Sequence, residues 1–252
     1  MPLATGALPE GAAPTPGSPE KEAVRSMFDR IAPRYDLLNH LLSAGIDVRW
    51  RRACVEFLDL PPGGRVLDLC TGTADLLIEA LRREDGRQGV GVDLSSAMLA
   101  RGAAKLEQRG LRRRAALMGG DAAALPLAAD AVDGALVAFG IRNVTEPLRA
   151  LEEARRVLRA GGALVVLEFA LPRGVLGALY RFYFRSVLPR LGGLISGDRG
   201  AYSYLPASVE RFAAPEELAG LMARAGFTDV QSRRLTGGIA WLHRGRKGAK
   251  GP

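Results

Sequence analysis

Three carboxylates stand at the ends of successive apolar runs, the place where an open α/β sheet gathers a ligand. The first run, Val66-Leu67-Asp68-Leu69, leads into Cys70-Thr71-Gly72-Thr73-Ala74-Asp75. The second ends at Asp93-Leu94, and the third reaches Gly120-Asp121-Ala122. A dinucleotide wants G-x-G-x-x-G, whose glycines let backbone close on a pyrophosphate at a helix N-terminus. Only Gly72 of that pattern is here, because Ala74 and Leu77 hold the other positions. Asp68 and Asp75 flank the turn and would repel a pyrophosphate. They suit a cationic ligand without phosphate, such as the amino group of S-adenosylmethionine. Asp93 is placed to accept hydrogen bonds from ribose hydroxyls, a chemistry that nicotinamide binders share. Singly, Gly72 is a turn glycine, Asp93 an acid near a helix N-cap and Asp121 a loop acid. In order at successive strand ends, they point to an S-adenosylmethionine site.

The elements that must hold these residues follow from periodicity. Apolar runs RVLDL, GVGVD, a weaker one near Ala115–Met118, AVDGALVAF and ALVVLEF alternate with helical patterns near 75–84, 96–108 and 146–159. Such alternation implies parallel βαβ units with right-handed crossovers. The strands show little in–out alternation, which suits a sheet covered on both faces. FTDVQSRRL and GIAWLHRG are expected to close it as an antiparallel hairpin around Gly237-Gly238, after a helix over 216–225. Ahead of the sheet, the residues from Glu22 to about 60 read as a helical cap. Val24, Met27, Phe28 and Ile31 share one helix face, Leu37, Leu38, Leu41 and Leu42 a second, and Trp50, Cys54, Phe57 and Leu58 a third.

Composition narrows the partners. The chain has 252 residues with 48% hydrophobic and 25% charged, enough apolar content for a sizeable core. Its net charge of +8 favours anionic partners without choosing among nucleic acid, a lipid surface and a phosphorylated substrate. Residues 1–21, rich in Pro, Gly and Ala, read as a disordered tail without the basic start of a signal peptide, and 248–252 as a basic tail. Cys54 and Cys70 read as reduced thiols of a cytoplasmic protein. No run of ~18 apolar residues is present to span a bilayer. Nor does any His/Cys cluster call for a metal.

Beyond these features, five segments resemble a known family. They are Tyr35-Asp36-Leu37-Leu38-Asn39 with Ser43-Ala44-Gly45 and Trp50; Phe139-Gly140-Ile141-Arg142-Asn143-Val144; Leu167-Glu168-Phe169; Tyr202 through Ser208; and Gly238 with His243-Arg244-Gly245. Over residues 22–247 the chain resembles the class I S-adenosylmethionine-dependent methyltransferases that C-methylate the quinone rings of menaquinone and ubiquinone biosynthesis. The Phe-Gly-Ile-Arg-Asn-Val run is the specific part. The resemblance implies a doubly wound, seven-stranded, mostly parallel α/β sheet, Rossmann-like, with an N-terminal helical cap and a substrate-side insertion over 172–214. It also implies methylation of a demethylated polyprenyl quinol, demethylmenaquinol first and a benzoquinol second. A nucleic-acid methyltransferase and a non-catalytic cofactor binder are the other classes; no base-stacking motif near the acceptor site favours nucleic acid.

The cofactor set becomes Asp68, Gly72, Thr73, Asp75, Asp93, Leu94, Asp121, Ala122 and Ala138, the last where relatives often carry a small polar residue. Thr71 and Ala74 replace family glycines, and the added methyl of Ala74 is expected to narrow the backbone's approach to the cofactor. Ala160 replaces a family proline. Asp47 replaces a family histidine; it is either a base, if buried, or an exposed surface acid. Arg142 is the candidate for holding a phenolate, since its charge is permanent. The resemblance implies that it works with a water as proton acceptor, and Asn143 would orient the site. As a plain alternative, Arg142 is a structural ion-pair partner. Tyr35, Tyr202 and Tyr204 line a ring pocket or simply pack, and His40 and His243 read as structural. From Gly174 to Leu191, aromatics interleave with Arg181, Arg185 and Arg190, so this segment is either a membrane-surface helix that admits an isoprenoid tail or a packed cap. Contact at the inner membrane face and a homo-oligomer are further expectations.

Overall fold

Val66, Leu136 and Val165 point to one side of their strands while Leu67, Ala135 and Leu164 point to the other, and both sets are fully buried. A strand turns successive side chains to opposite faces, so such runs demand helices on both sides of one sheet. The computed structural model describes residues 21–172, 174, 177–178, 182–183, 186 and 199–249. Residues 1–20 of the expected 1–21 tail and most of the basic aromatic segment lie outside them, while Lys21 opens the first helix instead of ending a tail.

Three helices come first: α1 (Lys21–Ile31), α2 (Tyr35–Leu42) and α3 (Ile46–Leu58). The sheet then alternates as β1 (Arg65–Leu69), α4 (Asp75–Arg82), β2 (Gln88–Asp93), α5 (Ser96–Gln108), β3 (Ala115–Gly119), β4 (Val132–Ala138), α6 (Pro147–Val157) and β5 (Leu158–Phe169). It closes with α7 (Arg199–Arg211), α8 (Pro215–Arg224), β6 (Phe227–Leu235) and β7 (Ala240–Lys247). The seven strands lie in the order β3-β2-β1-β4-β5-β7-β6. The first five run parallel, β7 pairs antiparallel with both β5 and β6, and the β6–β7 turn falls at Thr236–Gly238 as expected.

One boundary differs from the sequence reading. The helix expected to reach about 159 stops at Val157, and β5 begins at once with Leu158. Val132 pairs with Leu158, yet Gly134 pairs with Ala163, so Arg159–Gly162 bulges out of register, with Gly161 at φ 78°. A glycine reaches that left-handed conformation without a Cβ clash.

The apolar stripes of α3 and α4 cover one face of the sheet, and those of α6 and α8 cover the other. A third, smaller cluster joins Met27 and Ile31 of α1, Met98 of α5 and Val209 of α7, and so seats α1 against the strand C-terminal ends.

Candidate active site

A cavity of about 370 Å³ opens at the C-terminal ends of β1, β2 and β4, within the size range of small-molecule sites. Its walls include Gly72, Asp93, Leu94, Asp121, Ala122 and Ala138 of the expected cofactor set, with Tyr35 and Asn143. Backbone geometry builds the cofactor side. The turn after β1 has Cys70, Gly72 and Ala74 all at positive φ, 52°, 53° and 66°. This folding-back aims the Gly72 N–H at Asp93 Oδ2, 2.8 Å away, while the Ser95 N–H donates to Asp93 Oδ1 at 2.9 Å. Burial pushes the Asp93 carboxyl up from its ordinary range, and the N–H groups of Ser95 and Gly72 act against that shift. Each oxygen keeps lone-pair capacity for a further donor.

Three members of the expected set do not line this cavity. Asp68 is buried beneath the turn, where Oδ2 accepts from the Thr71 hydroxyl at 2.6 Å and the Leu77 N–H at 3.1 Å. Desolvation raises its pKa to about 7. Thr73 donates to Asp36 Oδ1 at 2.5 Å. Asp75 pairs with Lys105, whose ammonium also holds Asp36 at 2.9 Å. Thr73 and Asp75 thus fasten the turn to α2 and α5 instead of facing a ligand. The left-handed kinks at Cys70 and Ala74 turn these side chains away, an effect that residue types alone do not reveal.

The two departures from family glycines also face inward. A Cβ on Gly91 would come within 2.8 Å of the Thr71 side chain, so Thr71 occupies the space that β2 leaves by carrying glycine. The Ala74 methyl is fully buried against Gly102 of α5, where an added Cβ would meet it at 3.1 Å. It does not face the cavity. Its cost is the left-handed backbone of a non-glycine residue, of order 1 kcal/mol.

Asp47 is neither an exposed acid nor a wall of the cavity. It is 5% exposed in the first turn of α3, ion-paired to Arg51 at 2.7 Å and accepting from Ser43 Oγ at 2.8 Å. The indole of Trp50 donates to Thr236 Oγ1 at 2.8 Å, fixing α3 to the β6–β7 turn. His243 is buried on β7 against Ser232, and burial lowers its pKa to about 4, which suits a structural role. Tyr202 lies in α7, and its side chain is outside the described residues.

Behind the cavity wall formed by Ala138, Phe139, Gly140 and Asn143, side chains replace backbone; Arg142 and Tyr204 themselves do not line the cavity. Arg142, in the 3-10 turn after β4, gives Nη1 to the Phe139 carbonyl and to Glu168 Oε1 at 2.7 Å, and Nε to Ser208 Oγ at 3.3 Å. Its guanidinium lies over the Phe169 ring, 5.5 Å from the centroid. Phe169 stacks on Phe139 at 4.2 Å, and Trp50 packs against both rings. Asn143 Nδ2 donates to the Phe139 carbonyl at 3.3 Å, and the Tyr204 hydroxyl donates to Asn143 Oδ1 at 3.0 Å. Burial raises the pKa of Tyr35 and of Tyr204, with Arg142 opposing the rise in both.

Sequence reasoning missed Glu168 as Arg142's partner, although an acid closing the apolar run Ala163–Leu167 was the available signal. It also missed how α1 closes over the site. Lys21, Val24, Arg25 and Phe28 line the cavity, Lys21 pairs with Asp121 at 2.6 Å, and Asp29 accepts from Ser95 Oγ at 2.5 Å.

Comparison with known proteins fits this geometry. Residues 17–247 match the model of the ubiE/COQ5 methyltransferase family. The chain is 51% identical to a demethylmenaquinone methyltransferase of Thermus thermophilus, over 87% of this chain and 99% of that one. It is 50% identical to a ubiquinone/menaquinone biosynthesis C-methyltransferase of Syntrophotalea carbinolica, over 90% and 95%. Among solved structures, a SAM-dependent methyltransferase of Thermotoga maritima, described as a possible histamine N-methyltransferase, superposes with a TM-score of 0.62 at 23% identity, covering 89% of this chain and 99% of its own. The [4+2]-cyclase SpnF superposes with a TM-score of 0.63 at 19% identity, over 92% and 98%, so the fold by itself does not fix the reaction. Fold and strand-end site together define an S-adenosylmethionine-dependent methyltransferase. The chain belongs to the ubiE/COQ5 methyltransferase family.

Proposed function

We propose that this enzyme methylates a ring carbon of a polyprenyl quinol, with the naphthoquinol demethylmenaquinol as acceptor. The observation that carries the reading is the Phe139–Asn143 turn, which puts the Phe139 ring and the oriented Asn143 amide at the cavity wall with a buried guanidinium and the Phe169 ring behind them. A flat phenolic ring and a developing oxyanion are what such a wall accommodates. The naphthoquinone is common to the names of both relatives, which favours it over a benzoquinol.

The cofactor side fits a nucleoside. Asp93 would accept the ribose hydroxyls, Leu94 and Ala122 would flank the base, and Gly72 would leave room for backbone approach. When bound, S-adenosylmethionine supplies an electrophilic methyl group on a sulfonium. The protein's own part is to align the acceptor ring, exclude water and stabilise charge on the ring oxygen. Positioning alone contributes several kcal/mol. Arg142 supplies a fixed positive charge, held in place by Glu168, Ser208 and the Phe139 carbonyl, so little reorganisation is needed as charge develops. Asn143, oriented by Tyr204, offers its amide at the cavity edge.

A polyprenyl acceptor resides in a bilayer, so the enzyme would meet a membrane surface, where its net charge of +8 favours anionic headgroups. No helix of the described residues is long and apolar enough to cross one. Co-sedimentation with anionic vesicles, lost when neutral lipid replaces anionic lipid, tests that contact. The activity is tested by methyl transfer from labelled S-adenosylmethionine to reduced demethylmenaquinone, with the methylated carbon located by NMR. Preferred methylation of a benzoquinol would move the substrate; methylation of RNA alone would overturn the reading.

A further inference from the structure

The helices α1 and α2 form one ledge over the cavity, and its two faces are unlike. A 3-10 turn over Ala32–Arg34 joins them without a gap. Val24, Phe28 and Tyr35 line the cavity, while Met27 and Ile31 pack with Met98 of α5. The ledge carries three acids, and none is left on its outer stripe. Glu22 pairs with Arg25. Asp29 accepts from Ser95 Oγ at 2.5 Å, and Asp36 accepts from Thr73 Oγ1 at 2.5 Å and from Lys105 Nζ at 2.9 Å. Arg30, Pro33, Arg34 and Leu37 are all exposed. Arg30, Arg34 and Leu37 are spaced by four and then three, the intervals that keep side chains on one helix face.

Leu37 is 60% exposed, and it and Phe182 are the two large apolar side chains exposed among the described residues. An exposed leucine by itself is ordinary. This one stands in line with two arginines, on the outside of the element whose inside closes the cavity. Tyr183, next to Phe182, packs on the same cluster as Tyr35, so both exposed side chains belong to segments seated at the site end. A second basic cluster, Arg109 with Arg112–Arg114, precedes β3 and therefore lies at the opposite end of the parallel strands from the cavity. No large apolar side chain is exposed in it. A stripe that is both basic and apolar complements an anionic bilayer, whose headgroups take the charges and whose acyl boundary takes the leucine. We propose that the outer face of the ledge, with Arg30, Arg34 and Leu37, is the surface by which the enzyme docks on an anionic bilayer. This rests on the polyprenyl acceptor proposed above, whose chain stays in the membrane. In that orientation the acceptor ring has one helix diameter, roughly 10 Å, to cross between the bilayer and the cavity.

The test uses the full chain and vesicles of equal phosphatidylglycerol and phosphatidylcholine, with phosphatidylcholine alone as the uncharged control. Leu37→Trp puts an indole on the ledge and Arg113→Trp puts one at the far end, while the wild type supplies the background of Trp50 and Trp241. With brominated acyl chains, the indole added at 37 should lose its emission and the one added at 113 should keep it. Quenching at 113 and not at 37, or at neither, overturns the proposal. Changing Arg30→Gln and Arg34→Gln together should lower affinity for the anionic vesicles about tenfold or more, and affinity for the neutral ones not at all. An unchanged affinity overturns it as well. On a demethylated naphthoquinol without a chain, in solution, this double variant should stay within about twofold of wild type, while KM for demethylmenaquinol in vesicles rises and kcat holds. Equal losses on both acceptors would make the arginines structural and overturn the assignment. Should the double variant fail to fold, the quenching pair still decides. A protein that docks through position 37 but methylates no quinol would sink the acceptor reading alone. One that methylates demethylmenaquinol in vesicles without quenching at 37 would sink the docking surface alone.

Discussion

The two sides of the cavity are built from different materials. On the β1–β2 side, backbone does the work: a turn with left-handed residues presents the Gly72 N–H to one carboxylate, Asp93, which also accepts from the Ser95 N–H, and the turn buries its other polar side chains in its own supports. On the β4–β5 side, side chains from Phe139 to Ser208 meet around a buried ion pair and an aromatic stack. A cofactor shared by many enzymes can be held by backbone, which tolerates sequence change. An acceptor peculiar to one reaction needs particular functional groups. Damage on the first side should therefore appear in affinity, and damage on the second in turnover.

The largest effect is expected at Arg142. Arg142→Lys keeps a charge but not the planar fork that reaches Glu168 and Ser208 and that the proposed function assigns to the ring oxygen. Turnover should fall ~10²–10³-fold with S-adenosylmethionine affinity unchanged. Single-turnover kinetics beside a binding isotherm decides the matter, and equal losses in both would erase the division between the sides.

Asp68 should sharpen it as a support of the turn rather than a ligand. Its folded pKa of about 7 lies above its ordinary 3.8, so the folded state holds the proton more tightly. That contribution is complete below the ordinary value and is lost as pH rises through about 7. Asp68→Asn can keep both hydrogen bonds to its oxygen without a buried charge. Thermal melts should show the variant more stable above that pH, by about 2–4 kcal/mol, with the advantage vanishing in acid. His243 has the opposite slope: its depressed pKa costs stability as pH falls from about 6.5 toward about 4 in both proteins. A difference between wild type and variant that is independent of pH would refute the Asp68 account.

At Asp93, Asp93→Ala should weaken S-adenosylmethionine by ~1.5–3 kcal/mol, the scale of a lost charged hydrogen bond. Saturating cofactor should then restore most of the turnover. Unrestored turnover would mean that Asp93 also acts in the chemistry.

The smallest effect belongs to Ala74. Ala74→Gly relieves a left-handed alanine but removes a buried methyl, so stability should change by less than about 1 kcal/mol. Cofactor affinity should not move, because the methyl faces Gly102. A clear change in affinity by calorimetry would return Ala74 to the cofactor side.

What the sequence disclosed follows the same division. Alternating apolar runs gave the strands, and acids at their ends marked the crevice, because both signals are local. Which way Asp68, Thr73 and Asp75 point depends on the left-handed kinks at Cys70 and Ala74, and an alanine at positive φ is not anticipated from its type. The Arg142–Glu168 pair was hidden for a different reason. It exists because Ala138 pairs with Leu167 across β4 and β5, a register set by the sheet and not by the intervening residues. Which of its two readings Asp47 follows was not legible, since its burial depends on Arg51 one helical turn away and on Ser43, a local pattern that an exposed helix start would share.

The antiparallel β7 has a consequence for how the protein is made. It forms hydrogen bonds with β5 on one side and β6 on the other, and Lys247 at its end reaches back to the Leu158 carbonyl and to Asp130. During synthesis β5 is complete long before its permanent neighbour has left the ribosome, so its edge, rich in Val and Leu, waits unpaired. The wait ends only when the last strand inserts between two already made. The nascent chain therefore needs shielding at that edge late in translation, and a ribosome stalled before residue 240 would release a sheet in two pieces.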